Sequence, residues 1–324
     1  MKFGHIDIDQ PVYLAPMEDV TDIPFRKLCK RFGADIMITE FVSSDALVRN
    51  VQRTMEKMKI LDYERPIGIQ IYGHDYDTMV EAARIVERVN PDFIDLNFGC
   101  PVKKIVRRGA GSAMLKTPDL LIKIAKGVAQ AVQVPVTVKT RIGWDSHSVN
   151  ITEIVKRLQD TGIKVITIHA RTREQMYAGK ADWSVIAEIT ALPNLKTYIV
   201  GNGDIISAED AKEKFDRYGV DGIMIGRGAI GAPWIFRSVK KYLKEGILLP
   251  EPSLTEKVSV AIEHLNENVN FYGERVGVLL MRRHYAKYFK GLDNFRETKI
   301  KLLTSPSYKE NLEILHYIAD RWGN

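Results

Sequence analysis

Eight short runs dominated by Val, Ile, Leu and Phe recur along the chain: "VYLAP" (12–16), "DIMITEF" (35–41), "PIGIQIYG" (66–73), "FIDLNFG" (93–99), "PVTVKTR" (135–141), "KVITIHA" (164–170), "KTYIVGN" (196–202) and "DGIMIG" (221–226). Each has the length of a strand, and nearly continuous apolar content is the mark of strands buried on both faces. Stretches of helical spacing lie between them. In "DYDTMVEAARIVERV", Met79, Ala82, Ala83, Val86 and Val89 share one face. Strand and helix alternating eight times within about 240 residues predicts a closed parallel barrel of the TIM (β/α)8 type. The rival, a doubly wound open sheet, would carry GxGxxG after its first strand, and none stands there.

After "PEPS" (250–253) the alternation stops. Leu254, Val258, Ala261, Ile262, Leu265 and Val269 fall on one helical face, and Tyr308, Leu312, Leu315, Ile318, Ala319 and Trp322 on another. The expected architecture is an α/β barrel domain over residues 1–243 followed by a small all-α domain over 244–324.

Composition adds limits. With 45% hydrophobic and 27% charged residues in 324, the chain has ample material for a core. No apolar run approaches the ~18 residues of a membrane span, and "MKFGHIDIDQ" lacks the apolar middle of a signal peptide. A cytoplasmic protein with no membrane partner is expected, acting as a monomer. Two cysteines, Cys29 and Cys100, with no CxxC or Cys/His spacing exclude a disulfide framework and give no metal site.

Charge is uneven. The chain carries +6, and residues 275–301 hold that surplus in one stretch: Arg275, Arg282, Arg283, Lys287, Lys290, Arg296, Lys299 and Lys301 against Asp293 and Glu297. Tyr285, Tyr288 and Phe289 are interleaved with these charges. Two readings stand: a surface for RNA phosphates and bases, or a solvated helix face over core aromatics.

In a barrel of this type the working residues sit where strands end. Here the ends carry "APMEDVTD", Gln70, Asn97 and Cys100, Lys139 and Arg141, His169 with Arg171 and Arg173, "GNGD" and "GRG". The glycines after the last two strands are either tight turns alone or a phosphate cradle with Arg227 as a forked partner. Lys139 is either a fixed cation suited to the negative charge of a reduced flavin ring or simply a snorkelling or ion-paired lysine. His169 is either a core histidine or part of a cationic cluster with Arg171 and Arg173 that calls for an anion. No carboxylate pair or GxSxG elbow supports hydrolysis. In "PFRKLCKRF" Cys29 shares a face with Phe25, Leu28 and Phe32 and reads as a small buried hydrophobe. Cys100 lies instead on a loop between Gly99 and Pro101 with no partner base in view. A thiol of pKa ~8.5 is protonated at neutral pH, so a proton donor fits better than a nucleophile.

Taken together, "APMEDVTDIPFR", "EFVSSDAL", "LNFGCPVKKI" with "GAGSAML", "VTVKTRIGWD", "IHARTREQMYAGKADW", "GNGDI" and "GIMIGRGAIGAPWIF" resemble the motif series of the bacterial tRNA-dihydrouridine synthases, in order from residue 14 to about 236, with a fainter echo in "MRRHYAKYFKG". The "NFGCPVKK" form points to the general bacterial branch. Thr140 stands where methionine is more usual, and "RRHYAKYFKG" has no tryptophan.

The resemblance implies an FMN-bound barrel reduced by NADPH, a helical tRNA-binding domain, hydride delivery to C6 of a uridine and protonation of C5 by Cys100. It implies that Pro16, Met17 and Glu18 border the flavin and that Gln70 and Lys139 contact its ring. Asn202, Gly203, Asp204, Gly226 and Arg227 would enclose its phosphate, with His169 close by. Asn97, Arg141 and Tyr177 would hold the uracil. Lys103, Lys104, Arg107 and Arg108, with Arg282, Arg283, Lys287 and Lys290, would meet the tRNA backbone. The alternative is a flavin-dependent dehydrogenase of a free pyrimidine, and an RNA-binding protein with an idle barrel is a rival from another class.

Overall fold

A computed structural model describes residues 1–323. Eight parallel strands form a barrel: β1 Val12–Leu14, β2 Met37–Ile38, β3 Ile67–Tyr72, β4 Phe93–Phe98, β5 Val136–Arg141, β6 Val165–His169, β7 Tyr198–Asn202 and β8 Gly222–Ile225. The ring closes ahead of β2, where Asp35 N–H donates to Val12 O (2.9 Å) and Leu14 N–H to Ile36 O (3.0 Å).

Seven helices cover the outside: α1 Ile23–Arg31, α2 Tyr76–Glu87, α3 Pro118–Ala131, α4 Ile151–Leu158, α5 Trp183–Thr190, α6 Ala208–Tyr218 and α7 Ile235–Glu245. Local chemistry sets their starts. Asp22 accepts from Phe25 N–H to cap α1, and Ser207 with Asp210 forms a reciprocal capping box on α6.

The second β/α unit departs from the sequence expectation. Of residues 35–41 only Met37–Ile38 lies in β2; the chain leaves the ladder at Glu40 and Phe41, then Val42–Ser43 rejoins the upper end of β3. Glu40 turns toward Lys57 (3.8 Å), and Phe41 packs edge-on against Tyr72 (5.2 Å). Two five-residue helices, Ser44–Val48 and Gln52–Glu56, replace the single covering helix, with Asn50 at φ 53° between them.

The strands also alternate more than their apolar content suggests. Outward positions such as Ile67, Ile69, Ile71, Ile94, Leu96, Ile166 and Ile168 join a core shared with the helices. Inward positions low in the barrel, Tyr13, Phe93, Val165, Val200 and Met224, pack around Phe3 and Ile6 of an N-terminal hairpin that plugs the bottom. Higher up, the inward set is polar: Gln70, Asp95, Asn97, Thr137, Lys139, Arg141, Thr167, His169 and Asn202. Strand period 2 thus divides the barrel interior into an apolar floor and a polar mouth.

Four helices follow: α8 Leu254–Tyr272, α9 Glu274–Tyr288, α10 Arg296–Thr304 and α11 Tyr308–Trp322. The first two pack on α1, where Phe25 meets the rings of His264 (5.4 Å) and His284 (4.6 Å), and Lys27–Glu267 (2.8 Å) and Arg31–Glu263 (2.7 Å) flank the contact. Gly231, at φ +68°, admits α9 closely; a Cβ there would lie 2.6 Å from Lys287 Cβ. Tyr285, Tyr288 and Phe289 are at most 3% exposed, which overturns their reading as base-stacking residues. Their spacing places them with Met281 on the inner face, while Arg283, Lys287 and Lys290 stay outside. Among the described residues no helix is long and apolar enough to cross a membrane.

Candidate active site

The mouth is built on one buried hydrogen-bond chain. Asp95 accepts from Thr137 Oγ1 (2.5 Å) and from Gln70 Nε2 (2.6 Å). Gln70 Oε1 then accepts from Asn97 Nδ2 (2.8 Å), and Asn97 Oδ1 takes the N–H groups of Gly99 (3.1 Å) and Cys100 (2.9 Å). Burial pushes the Asp95 carboxyl up to about 6 against the pull of these bonds, so it is ionised at neutral pH. An ionised carboxylate only accepts, which fixes which end of each amide faces which neighbour. The cysteine loop therefore takes its shape from a carboxylate two strand positions below it.

Cys100 is half-buried, and its carbonyl accepts from both N–H and Oγ of Ser112 (3.0 Å each). Burial pushes its thiol above the ordinary range, outweighing Val102 N–H and Arg141. The group at the mouth is a thiol rather than a thiolate.

Arg141 clamps this loop to the next. Its Nε donates to Gly99 O, and Nη1 to Thr172 O and Met176 O (2.9 Å each). Burial lowers it to about 10, still protonated at neutral pH. Tyr177 is 52% exposed and stands above, with the guanidinium carbons of Arg141 and Arg227 at 5.8 and 4.9 Å from its ring. Lys139 Nζ donates to Asn202 Oδ1 (3.3 Å), and burial, helped by Arg141, lowers it to about 8. Burial first, then Arg141, Lys139, Arg171 and Arg227, hold His169 well below the usual imidazole range, so its ring is neutral.

Across the barrel from Cys100, the ends of β7 and β8 form the glycine turns. Gly203 sits at φ +134°, where a Cβ would lie 2.8 Å from Ala181 Cβ, and Asp204 follows at φ 52°. Asp204 takes Arg171 Nη2 (2.7 and 2.8 Å), Arg227 Nη2 (3.2 Å) and Ala181 N–H (2.8 Å). Asp204 is thus the anion that Arg171 calls for, supplied inside the chain. Lys139, Arg141, Arg171 and Arg227 nevertheless outnumber Asp204 and the submerged Asp95. A Cβ at Gly226 would enter the space beside Ala15 (3.4 Å) and Met17 Sδ (3.6 Å). Surplus cation and glycine turns suit an anionic group such as a phosphate.

The other candidates lie as follows. Pro16 and Met17 follow β1, with Met17 partly buried at the edge of the barrel interior. Glu18 turns to Lys57 (2.6 Å). Lys103, Lys104, Arg107 and Arg108 are exposed just past Cys100, and none forms an ion pair among the described residues. Arg283 is held by the carbonyl and carboxylate of Asp19 on the β1 loop, and Arg282 donates to Thr304 O (3.0 Å). Lys287 and Lys290 remain exposed on the outer face. Sequence reasoning missed Asp95 and Thr137. Their signal was the period-2 spacing of Asp95 with Asn97, but the neighbours at Gln70 and Thr137 appear only once strand register is known. No group of three His, Cys, Asp or Glu among the described residues is placed to hold a metal.

A (β/α)8 barrel with a protonated thiol facing a cationic, glycine-turned anion site is the layout of a barrel oxidoreductase. The model of the dihydrouridine synthase (Dus) family matches residues 13–319. A protein of Rickettsia prowazekii (strain Madrid E) named "Probable tRNA-dihydrouridine synthase" is 40% identical over 309 residues, 94% of each chain. A tRNA-dihydrouridine synthase B of Pasteurella multocida (strain Pm70) is 39% identical over 294 residues, 90% of this chain and 87% of that one. Another of that name, from Xanthomonas campestris pv. campestris, is 41% identical over 290 residues, with the same coverage. The chain belongs to the dihydrouridine synthase family, whose members are flavin-dependent oxidoreductases.

Proposed function

We propose that this protein reduces the C5–C6 double bond of uridines in tRNA, with FMN as its flavin and NADPH as reductant. The observation that carries the reading is the protonated Cys100, on a loop fixed by Asn97 and Arg141, facing the cationic glycine turns across the barrel. When bound, the reduced flavin supplies the hydride for C6 of the uracil.

The remaining tasks fall to the chain's own residues. Cys100 Sγ holds the proton for C5 and is reprotonated from solvent after each turnover. The free edge of the Arg141 guanidinium and the amide of Asn97 orient the uracil, and Tyr177 covers it. The turn at Asn202, Gly203 and Asp204, with Gly226 and Arg227, binds the flavin phosphate, while Lys139, Gln70, Pro16, Met17 and Glu18 border the ring. His169, being neutral, donates one hydrogen bond without adding charge to a mouth already rich in cations.

A uridine in folded RNA must be drawn out of its stack to reach a barrel mouth. Lys103, Lys104, Arg107 and Arg108 beside the thiol, and Lys287 and Lys290 on the helical domain, would hold the backbone while this happens. Residues 1–243 serve as the catalytic domain and 244–324 as the RNA-docking domain of a cytoplasmic monomer.

Nucleoside mapping of tRNA from cells lacking the gene tests the reading. One or more dihydrouridines should revert to uridine and return on complementation; an unchanged map, with turnover of a free pyrimidine by the pure protein, would favour the free-pyrimidine dehydrogenase instead.

A further inference from the structure

A second cluster of cations and an aromatic ring stands on the rim beside the Arg141–Tyr177 pair. Trp144, half-buried three residues beyond Arg141, has Lys116 Nζ at 4.8 Å and Arg173 Cζ at 4.6 Å from its ring centroid. Three loops converge on this indole. Arg173 N–H donates to Gly143 O and Glu174 N–H to Trp144 O (2.9 Å each), joining the loops after β6 and β5. Asn150 Nδ2 donates to Leu115 O (2.8 Å), which brings the turn carrying Lys116 against them.

The two cations repel each other and have no acidic partner among the described residues. Asp119 is engaged by Arg157 (2.7 Å), and Asp145 by Ser148 Oγ (2.8 Å) and His147 N–H (3.0 Å). Glu174, next in sequence to Arg173, forms no ion pair with either cation. Arg173 Nε is buried with no hydrogen-bond partner. The indole attracts both cations through its ring quadrupole, so its faces are spent on holding them rather than on stacking a base. What the arrangement lacks is an acceptor-rich anion: an exposed ammonium and a guanidinium without an acidic partner, both set over one ring, suit the unesterified oxygens of a phosphodiester.

We infer that Lys116 and Arg173, spaced by Trp144, bind a backbone phosphate of the RNA strand next to the reacting uridine. The inference rests on the tRNA reading above and adds a contact that fixes the strand's register at the mouth.

Affinity of the flavin-loaded protein for an unmodified tRNA transcript, measured at several salt concentrations from about 50 to 200 mM, tests it. Lys116→Gln combined with Arg173→Gln should weaken binding roughly tenfold or more and flatten the log–log salt dependence by about 0.7 to 0.9, the share of one phosphate. Arg173→Lys should keep the wild-type slope, and flavin reduction by NADPH should be unchanged in every variant. Lys116 is exposed, so Lys116→Gln alone gives a readout free of folding effects. Wild-type affinity and slope in the double variant would overturn the inference. So would weaker binding with an unchanged slope, which would make Arg173 a loop prop. A wild-type protein that itself binds no tRNA would overturn the tRNA reading and this contact with it, a result distinct from the first two.

Discussion

Asp95 is the residue on which the geometry of the site turns. Its carboxylate receives Gln70 and Thr137, Gln70 receives Asn97, and Asn97 receives the backbone of Cys100. Burial raises its pKa in the fold above the ordinary carboxylate value of about 4. The sign follows: the charged form costs stability, fully so above about 6, and the cost is relieved as pH falls. A neutral isostere should therefore be tolerated by the fold and resented by the chemistry. Asp95→Asn is expected to keep or raise Tm at pH 8 while slowing product formation about tenfold or more, because a second amide frees Gln70 and Asn97 to flip. Its rate of Cys100 alkylation should change as well. A slow variant with wild-type thiol reactivity would place the defect elsewhere. In the sequence, Cys100 stood out because it lies outside any helical pattern, whereas Asp95 looked like one acidic residue in an apolar strand. Pairing it with Gln70 and Thr137 required registers that no local pattern encodes.

Between elements, the contact of α8 and α9 with α1 is made by rings. Phe25, His264, His284 and Tyr288 pack together, and His264 Nδ1 lies 3.2 Å from Tyr288 Oη. Burial holds both imidazoles below the ordinary range, His284 at about 3. Both stay neutral in the fold but accept protons in the unfolded chain, so this group of contacts loses stability as pH falls below about 6.5. At pH 5 the loss at His284 is about 2 kcal/mol, and His264 adds a loss of the same sign. His284 Nδ1 has no partner, so His284→Leu should change Tm little at pH 7 and shrink its fall between pH 7 and 5. An unaltered pH dependence in thermal denaturation would contradict this. The basic and aromatic run in α9 was legible as a pattern but divided by facing: the charges point out and the rings point in. Arg283, one of those charges, is spent on Asp19 of the β1 loop and ties the helical unit to the barrel mouth.

For the whole molecule, eight apolar runs in order were enough for a closed barrel, because parallel strands covered by helices leave little other arrangement. What the runs concealed was their inward polarity. The mouth gathers Lys139 and Arg141 from β5, Arg171 from the end of β6 and Arg227 from the end of β8, the last two paired with Asp204, and the exposed cations after Cys100 and on α9 extend positive charge outward. Charge, thiol and glycine turns thus occupy one end of the barrel, while the N-terminal hairpin seals the other with Phe3 and Ile6.

The central claim is that this mouth reduces a uridine in tRNA with Cys100 as its acid. The most direct measurement is mass spectrometry of an unmodified tRNA transcript after incubation with the protein, FMN and NADPH, with Cys100→Ala and Cys29→Ala run in parallel. The wild type and Cys29→Ala should add two hydrogens at defined uridines, while Cys100→Ala should keep a reducible flavin and form almost no product. Full conversion by Cys100→Ala, or none by the wild type, would contradict the account.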